Sequence, residues 1–192
     1  MKEKKIIVFG SGNGSNFQAI VEYFRSKRLP VEVLFLFCEN PKAKIIERAK
    51  MLDVKVIVED FKKFKSRKDF DRKVEEILDK HSFDLLVLAG YMKILPEEII
   101  KKYKYMIINI HPSLLPAFPG LRAIEKAYNY GVKYTGITIH YVDEGVDTGP
   151  IIEQIALRIR NGESLKELEE RIHRIEHYFY PRIIEKLLFE ED

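Results

Sequence analysis

Short apolar or β-branched runs alternate along the chain with longer stretches in which apolar residues recur every three or four positions. The runs at 6–9, 31–37, 54–58, 85–88 and 106–109 read as strands bounded by turns. Between them, helical spacing predicts helices near 17–27, 43–52, 66–80 and 96–102. Alternation of this kind builds a parallel, doubly wound sheet, so the expected fold class is α/β, with a Rossmann-like front half.

The pattern changes after a Pro-rich loop around 112–119. A helix is expected near 123–130, then strands at 135–142 and 151–158 whose short Asp/Gly link makes them antiparallel neighbours. Ser164 is a good N-cap for a helix running to about Tyr178, and Pro181 suits the first turn of a second helix. No internal repeat or flexible linker divides the chain. The expectation is one domain over 1–192, with a phosphate-binding front half to about residue 105 and a catalytic back half from 106.

Composition narrows the class. A chain of 192 residues that is 46% hydrophobic and 33% charged is long enough to bury a core and too apolar to be disordered. No apolar run approaches the ~20 residues of a membrane span, and the charged start at residues 1–5 passes at once into a strand, so no targeting segment is expected. Cys38 is the only cysteine, which excludes an intrachain disulfide and suggests a cytoplasmic setting, with the thiol filling the core. A net charge of +3 gives no argument for nucleic acid.

Two segments carry candidate chemistry. In Asn109-Ile110-His111-Pro112-Ser113-Leu114-Leu115-Pro116, side chains alternate across the strand, so Asn109 and His111 share a face. Pro112 ends the strand and exposes that pair at its carboxyl end, where open α/β sheets bind ligands. Taken alone, the pair better fits a histidine satisfied by a carbonyl and an asparagine closing a turn; its company along the chain is what favours chemistry. The second segment, Gly10-Ser11-Gly12-Asn13-Gly14-Ser15-Asn16, joins the first strand to a helix, and its amides can hold a phosphate without a cationic side chain. It lacks the Gly-Lys-Ser/Thr of a P-loop and has Ser15 in place of the third dinucleotide glycine. Glu39 nonetheless follows the second strand where a ribose-binding acid would stand, which keeps a nucleotide-binding module open. Glycines that merely permit the turn are the plainer alternative.

With these segments belong Leu88-Ala89-Gly90-Tyr91-Met92-Lys93-Ile94-Leu95, the stretch 136–150, and Glu176-His177-Tyr178-Phe179-Tyr180-Pro181. In this order and spacing the chain resembles the folate-dependent formyltransferases, in the branch of the phosphoribosylglycinamide formyltransferases. The resemblance spans nearly the whole chain. It implies formyl transfer from 10-formyltetrahydrofolate to the amine of glycinamide ribonucleotide, without a metal. From the residues alone, a monomer or homodimer that binds neither nucleic acid nor membrane is expected. Related transferases and formyltetrahydrofolate hydrolases carry extra domains, so the length favours the stand-alone transferase. Transfer to another amine, or hydrolysis, is the alternative activity.

The resemblance also assigns roles. Gly14, Ser15 and Asn16 would hold the ribonucleotide phosphate and Glu176 its amine end. Arg67, Met92, Lys93, Ile94, Leu95, Asn109 and the loop Asp143, Glu144, Gly145, Val146 and Asp147 would surround the folate. Arg122 stands where relatives often have histidine. Asn109, His111 and Asp147 would be catalytic, which suits the chemistry. An amine attacking a formyl carbon develops an oxyanion that needs donors, and a carboxylate beside an imidazole favours its charged form. The remaining histidines are read as structural: His81 ends a helix, His140 lies in an alternating strand, and His173 and His177 are one helical turn apart with no further ligand. The basic aromatic run 61–68 is read as solvated, with Lys65 and Arg67 placed to meet the glutamate tail of the folate.

Overall fold

The computed structural model describes residues 2–190. Five parallel strands, β1 (Lys4–Phe9), β2 (Val31–Cys38), β3 (Val56–Val58), β4 (Leu85–Leu88) and β5 (Ile107–His111), are followed by β6 (Tyr134–Tyr141) and β7 (Ile151–Arg158), which pair antiparallel. The sheet order is β3-β2-β1-β4-β5-β6-β7. The chain winds outward from β1 and then returns to β4 on its other side. That reversal opens a crevice at the carboxyl ends of β1 and β4.

Helices α1 (Ser15–Lys27), α2 (Lys44–Met51), α3 (Arg67–Asp79), α4 (Glu97–Lys102), α5 (Ala123–Tyr130) and α6 (Leu165–Phe189) cover the sheet. Strand alternation sorts the core into two layers. Ile6, Val8, Leu36, Val87 and Ile108 pack against α1, α2 and α6, whereas Ile7, Phe9, Phe35, Phe37 and Leu86 pack against α3 and α4. Cys38 is fully buried in the first layer, and burial pushes its thiol up to about 11, so it is core and not a nucleophile.

The helix starts follow local chemistry. The Ser66 hydroxyl accepts the Asp69 N–H at the head of α3, and Ser164 with Glu167 forms a reciprocal capping box at the head of α6. A 3-10 turn at Phe61–Lys63, capped by Asp60, lies within the basic aromatic run. No helix among the described residues is long and apolar enough to cross a membrane.

The expected break at Pro181 does not occur. α6 is one 25-residue helix in which Leu168, Ile172, Glu176, Tyr180, Ile184 and Leu188 are buried at every fourth position on both sides of the proline. An interior proline costs about 3 kcal/mol, but each buried aliphatic side chain of that stripe is worth about 1.5–3 kcal/mol. Tyr180 adds a bolt next to the proline. Its hydroxyl donates to the Leu88 carbonyl at 2.9 Å, with the Ile108 carbonyl at 3.4 Å.

Candidate active site

A cleft of about 760 Å³ lies along the carboxyl ends of β1, β4 and β5. Its wall includes the predicted residues Gly14, Ser15, Asn16, Met92, Lys93, Ile94, Leu95, Asn109, His111, Asp143, Gly145, Val146, Asp147 and Glu176. Arg67 and Glu144 are not on it. Arg67 stands behind the 91–95 strap, bonded to Asp71 and to the Ile94 carbonyl, and Glu144 is exposed beyond the wall.

Asn109 and His111 point to the same face of β5, as the alternation requires, and the antiparallel register sets His140 opposite Asn109 and Thr138 opposite His111. Asn109 Nδ2 lies 3.3 Å from His140 Nε2. The other ring nitrogen, His140 Nδ1, donates to the Tyr141 carbonyl at 2.9 Å, so in the neutral ring Nε2 is the acceptor for the Asn109 amide. Burial holds the His140 ring below its ordinary pKa of 6.5, against the opposing pull of the Tyr141 carbonyl and Asp147. The amide is thereby oriented, and its second N–H is left for another acceptor.

His111 is 5% exposed and held on both sides. Nδ1 lies 3.2 Å from Asp147 Oδ2, and Nε2 donates to the Phe118 carbonyl at 2.9 Å. Both partners are acceptors, an arrangement that only the imidazolium satisfies completely. The expectation that His111 aims a free N–H into the cleft therefore needs the Phe118 bond to be exchanged for a substrate oxygen. Asp147 Oδ2 also accepts the Gly120 N–H at 2.7 Å, tying its loop to the one after Pro116. Asp147 has a left-handed backbone, φ 57°, and at Gly149 a Cβ would lie 1.8 Å from the Tyr141 carbonyl oxygen. Only glycine lets the loop close this tightly.

The Gly-rich turn is built from beneath. Gly14 has φ +80°, and a Cβ there would meet Ile45 at 2.4 Å. No side chain caps α1, so its first-turn amides remain open toward the cleft. Arg48 braces the turn from outside, donating to the Asn13 carbonyl at 2.8 Å and to Asn13 Oδ1 at 3.0 Å. At its far side, Asn16 Nδ2 donates to Glu176 Oε2 at 3.1 Å, and His173 Nδ1 lies 2.8 Å from the same oxygen. The bond to Glu176 raises the His173 pKa, burial opposing it. Asn16 Oδ1 is buried without a partner.

Two of these residues carry no signal as sequence: His140 reads as one more residue of an alternating strand, and nothing singles out Arg48. Glu39, the candidate ribose-binding acid, is bonded to Ser11 and does not line the cleft. The signal for His140 lies in strand register, which joins it to a residue 31 positions away.

A doubly wound sheet extended by an antiparallel pair, with a phosphate-type turn and an Asn-His-Asp cluster in one cleft, has the form of a formyl transferase. Residues 4–184 match that family, and the chain belongs to it. Within the family it is 45% identical over 185 residues to the phosphoribosylglycinamide formyltransferase of Bacillus subtilis, covering 96% of this chain and 95% of that protein. Among solved structures, glycinamide ribonucleotide transformylase 1 from Geobacillus kaustophilus matches with a TM-score of 0.93 at 46% identity, over 97% of this chain and all of that one (100%). The phosphoribosylglycinamide formyltransferase of Bacillus halodurans matches with a TM-score of 0.93 at 43% identity, over 98% and 97% of the two chains.

Proposed function

We propose that this chain transfers the formyl group of 10-formyltetrahydrofolate to the amine of N1-(5-phospho-D-ribosyl)glycinamide, the formyl-transfer step of purine biosynthesis, in the cytoplasm. The observation that carries this reading is a single cleft with two unlike walls. One wall is polar, with the Gly14–Asn16 turn open to an anion and Glu176 placed for an amine; the other is the strap of Met92 and Ile94, both more than half exposed. A large apolar ring system and a phosphorylated amine call for such walls.

In this reading the ribonucleotide phosphate takes the α1 amides. Its amine end donates to Glu176, which Asn16 Nδ2 holds in place. The amine nitrogen attacks the formyl carbon. A C–N bond forms, and negative charge gathers on the formyl oxygen while positive charge gathers on nitrogen. The second Asn109 N–H donates to that oxygen, and His111, oriented by Asp147 at Nδ1, supplies a further donor by leaving the Phe118 carbonyl. The ammonium proton passes by way of the Asp147 carboxylate to N10 of the folate, and the C–N10 bond breaks. Arg67 acts from outside the wall by fixing the Ile94 carbonyl.

The test is loss of 10-formyltetrahydrofolate, followed by ultraviolet absorbance with and without the ribonucleotide, for wild type and His111→Ala. Acceptor-dependent loss that disappears in the variant is the expected result. Loss without acceptor identifies a hydrolase, and no loss under either condition overturns the reading.

A further inference from the structure

We propose that Ser11 and Glu39 are positioning residues for the formyl donor, an inference that rests on the activity proposed above. Neither was expected to serve the donor, and neither takes part in the chemistry. Ser11 makes three bonds at the carboxyl ends of three parallel strands. Its N–H donates to the Gly90 carbonyl at 3.1 Å, its hydroxyl accepts the Met92 N–H at 2.8 Å, and the same hydroxyl donates to Glu39 Oε2 at 2.9 Å.

The polarity of this relay is dictated by the acid. A carboxylate can only accept, so the single Ser11 proton must point at Glu39, and the serine lone pairs are left for Met92. Both residues are buried, at 7% and 6% exposure, and Glu39 has no ion-pair partner among the described residues. A buried carboxyl group whose only side-chain bond is to one hydroxyl is a costly way to fill space, and its effect here is local. It fixes the backbone between Tyr91, whose ring turns inward against Phe9 at 5.2 Å, and Met92, whose side chain turns out into the cleft. Gly90, at φ +74°, makes the bend. The strap that meets the donor is thus pinned to the strand that carries the phosphate turn.

Steady-state kinetics with both substrates varied tests the assignment. In S11A the expected donor KM rises about tenfold. The ribonucleotide KM stays within about twofold, because Arg48 and the Ile45 N–H bond to the Gly12 carbonyl hold the phosphate turn without Ser11. S11A leaves a buried carboxylate without its partner. Should it not fold, E39A carries the test, with a donor KM up about fivefold, and E39Q, which keeps an acceptor oxygen for Ser11, returns it to within about twofold of wild type. Two KM values that rise together, or a donor KM unchanged in E39A, overturn the assignment. Failure of the wild type to turn over this substrate pair overturns the proposed function instead.

Discussion

Asn109 and His140 face each other across the β5–β6 pair, with Asn109 Nδ2 3.3 Å from His140 Nε2. The imidazole fixes which way the carboxamide points, and so which atom of Asn109 the cleft receives. Replacing Asn109 by Ala removes that donor but no core packing. The expected outcome is a kcat lower by about 10²–10³-fold in a protein that still folds, destabilised by no more than the about 1–3 kcal/mol of leaving the buried His140 Nε2 without its partner, checked by turnover and calorimetry on the same preparation. Near-normal turnover would take Asn109 out of the mechanism.

His140 also gives the site a pH dependence. Its folded pKa lies below the ordinary 6.5, chiefly through burial. Above 6.5 both folded and unfolded rings are neutral and nothing is lost; as pH falls from 6.5 through the folded value, the unfolded chain takes up the proton first and stability declines. Protonation also turns Nε2 from acceptor to donor against the Asn109 amide. Wild type should therefore lose both kcat and melting temperature on the acid side. The drop in melting temperature between about pH 7.5 and 5.5 should be smaller in His140→Gln. It should not vanish, because burial holds His177 low as well.

Asp147 Oδ2 accepts both from His111 and from the Gly120 N–H. Asp147→Asn keeps an oxygen for Gly120 and removes the charge from His111. Its kcat should fall by about 10²-fold or more while the melting temperature changes little. Loss of both together would mean that the residue is chiefly a loop tie.

Arg67 reaches the cleft only through the Ile94 carbonyl. Arg67→Ala should raise the donor KM by about tenfold and leave the ribonucleotide KM unchanged. Charge reversal at Lys65, which lines a separate basic groove with Lys63, Arg72 and Lys73, asks whether the glutamate tail extends that way. A donor KM raised in Lys65→Glu is expected, and an unchanged one would confine the tail to the strap.

Tyr180 is fully buried, and its hydroxyl is spent on the Leu88 and Ile108 carbonyls. Tyr180→Phe should cost about 1–2 kcal/mol in chemical denaturation, since packing is kept and one buried bond is lost. A negligible change would show that α6 is held by its apolar stripe alone.

Much of the fold was legible because strand and helix periods alternate cleanly, and because Asn109 and His111 lie two apart on one strand. What escaped was decided between distant segments. Pro181 reads as a helix start from its ring alone; whether a helix runs through it depends on the stripe from Leu168 to Leu188 finding a continuous sheet face. His140 in its own strand is one of several alternating residues, and only the register with β5 makes it a neighbour of Asn109. Glu39 matched a ribose-binding position along the chain, but Ser11, 28 residues earlier, occupies it. Arg67, expected beside the donor, stands off the cleft wall and bonds the Ile94 carbonyl of the strap. Local chemistry thus marked the residues that line the cleft more readily than those that hold them from behind.

Glu176 belongs to the same buried stripe of α6 as Tyr180, one turn away, and Tyr180 reaches the carbonyl of Ile108, the residue before Asn109. The acid that would meet the amine and the amide that would meet the formyl oxygen are therefore gauged from a common origin. Their spacing is set by the straightness of one helix and by one tyrosine hydroxyl, not by any loop between them.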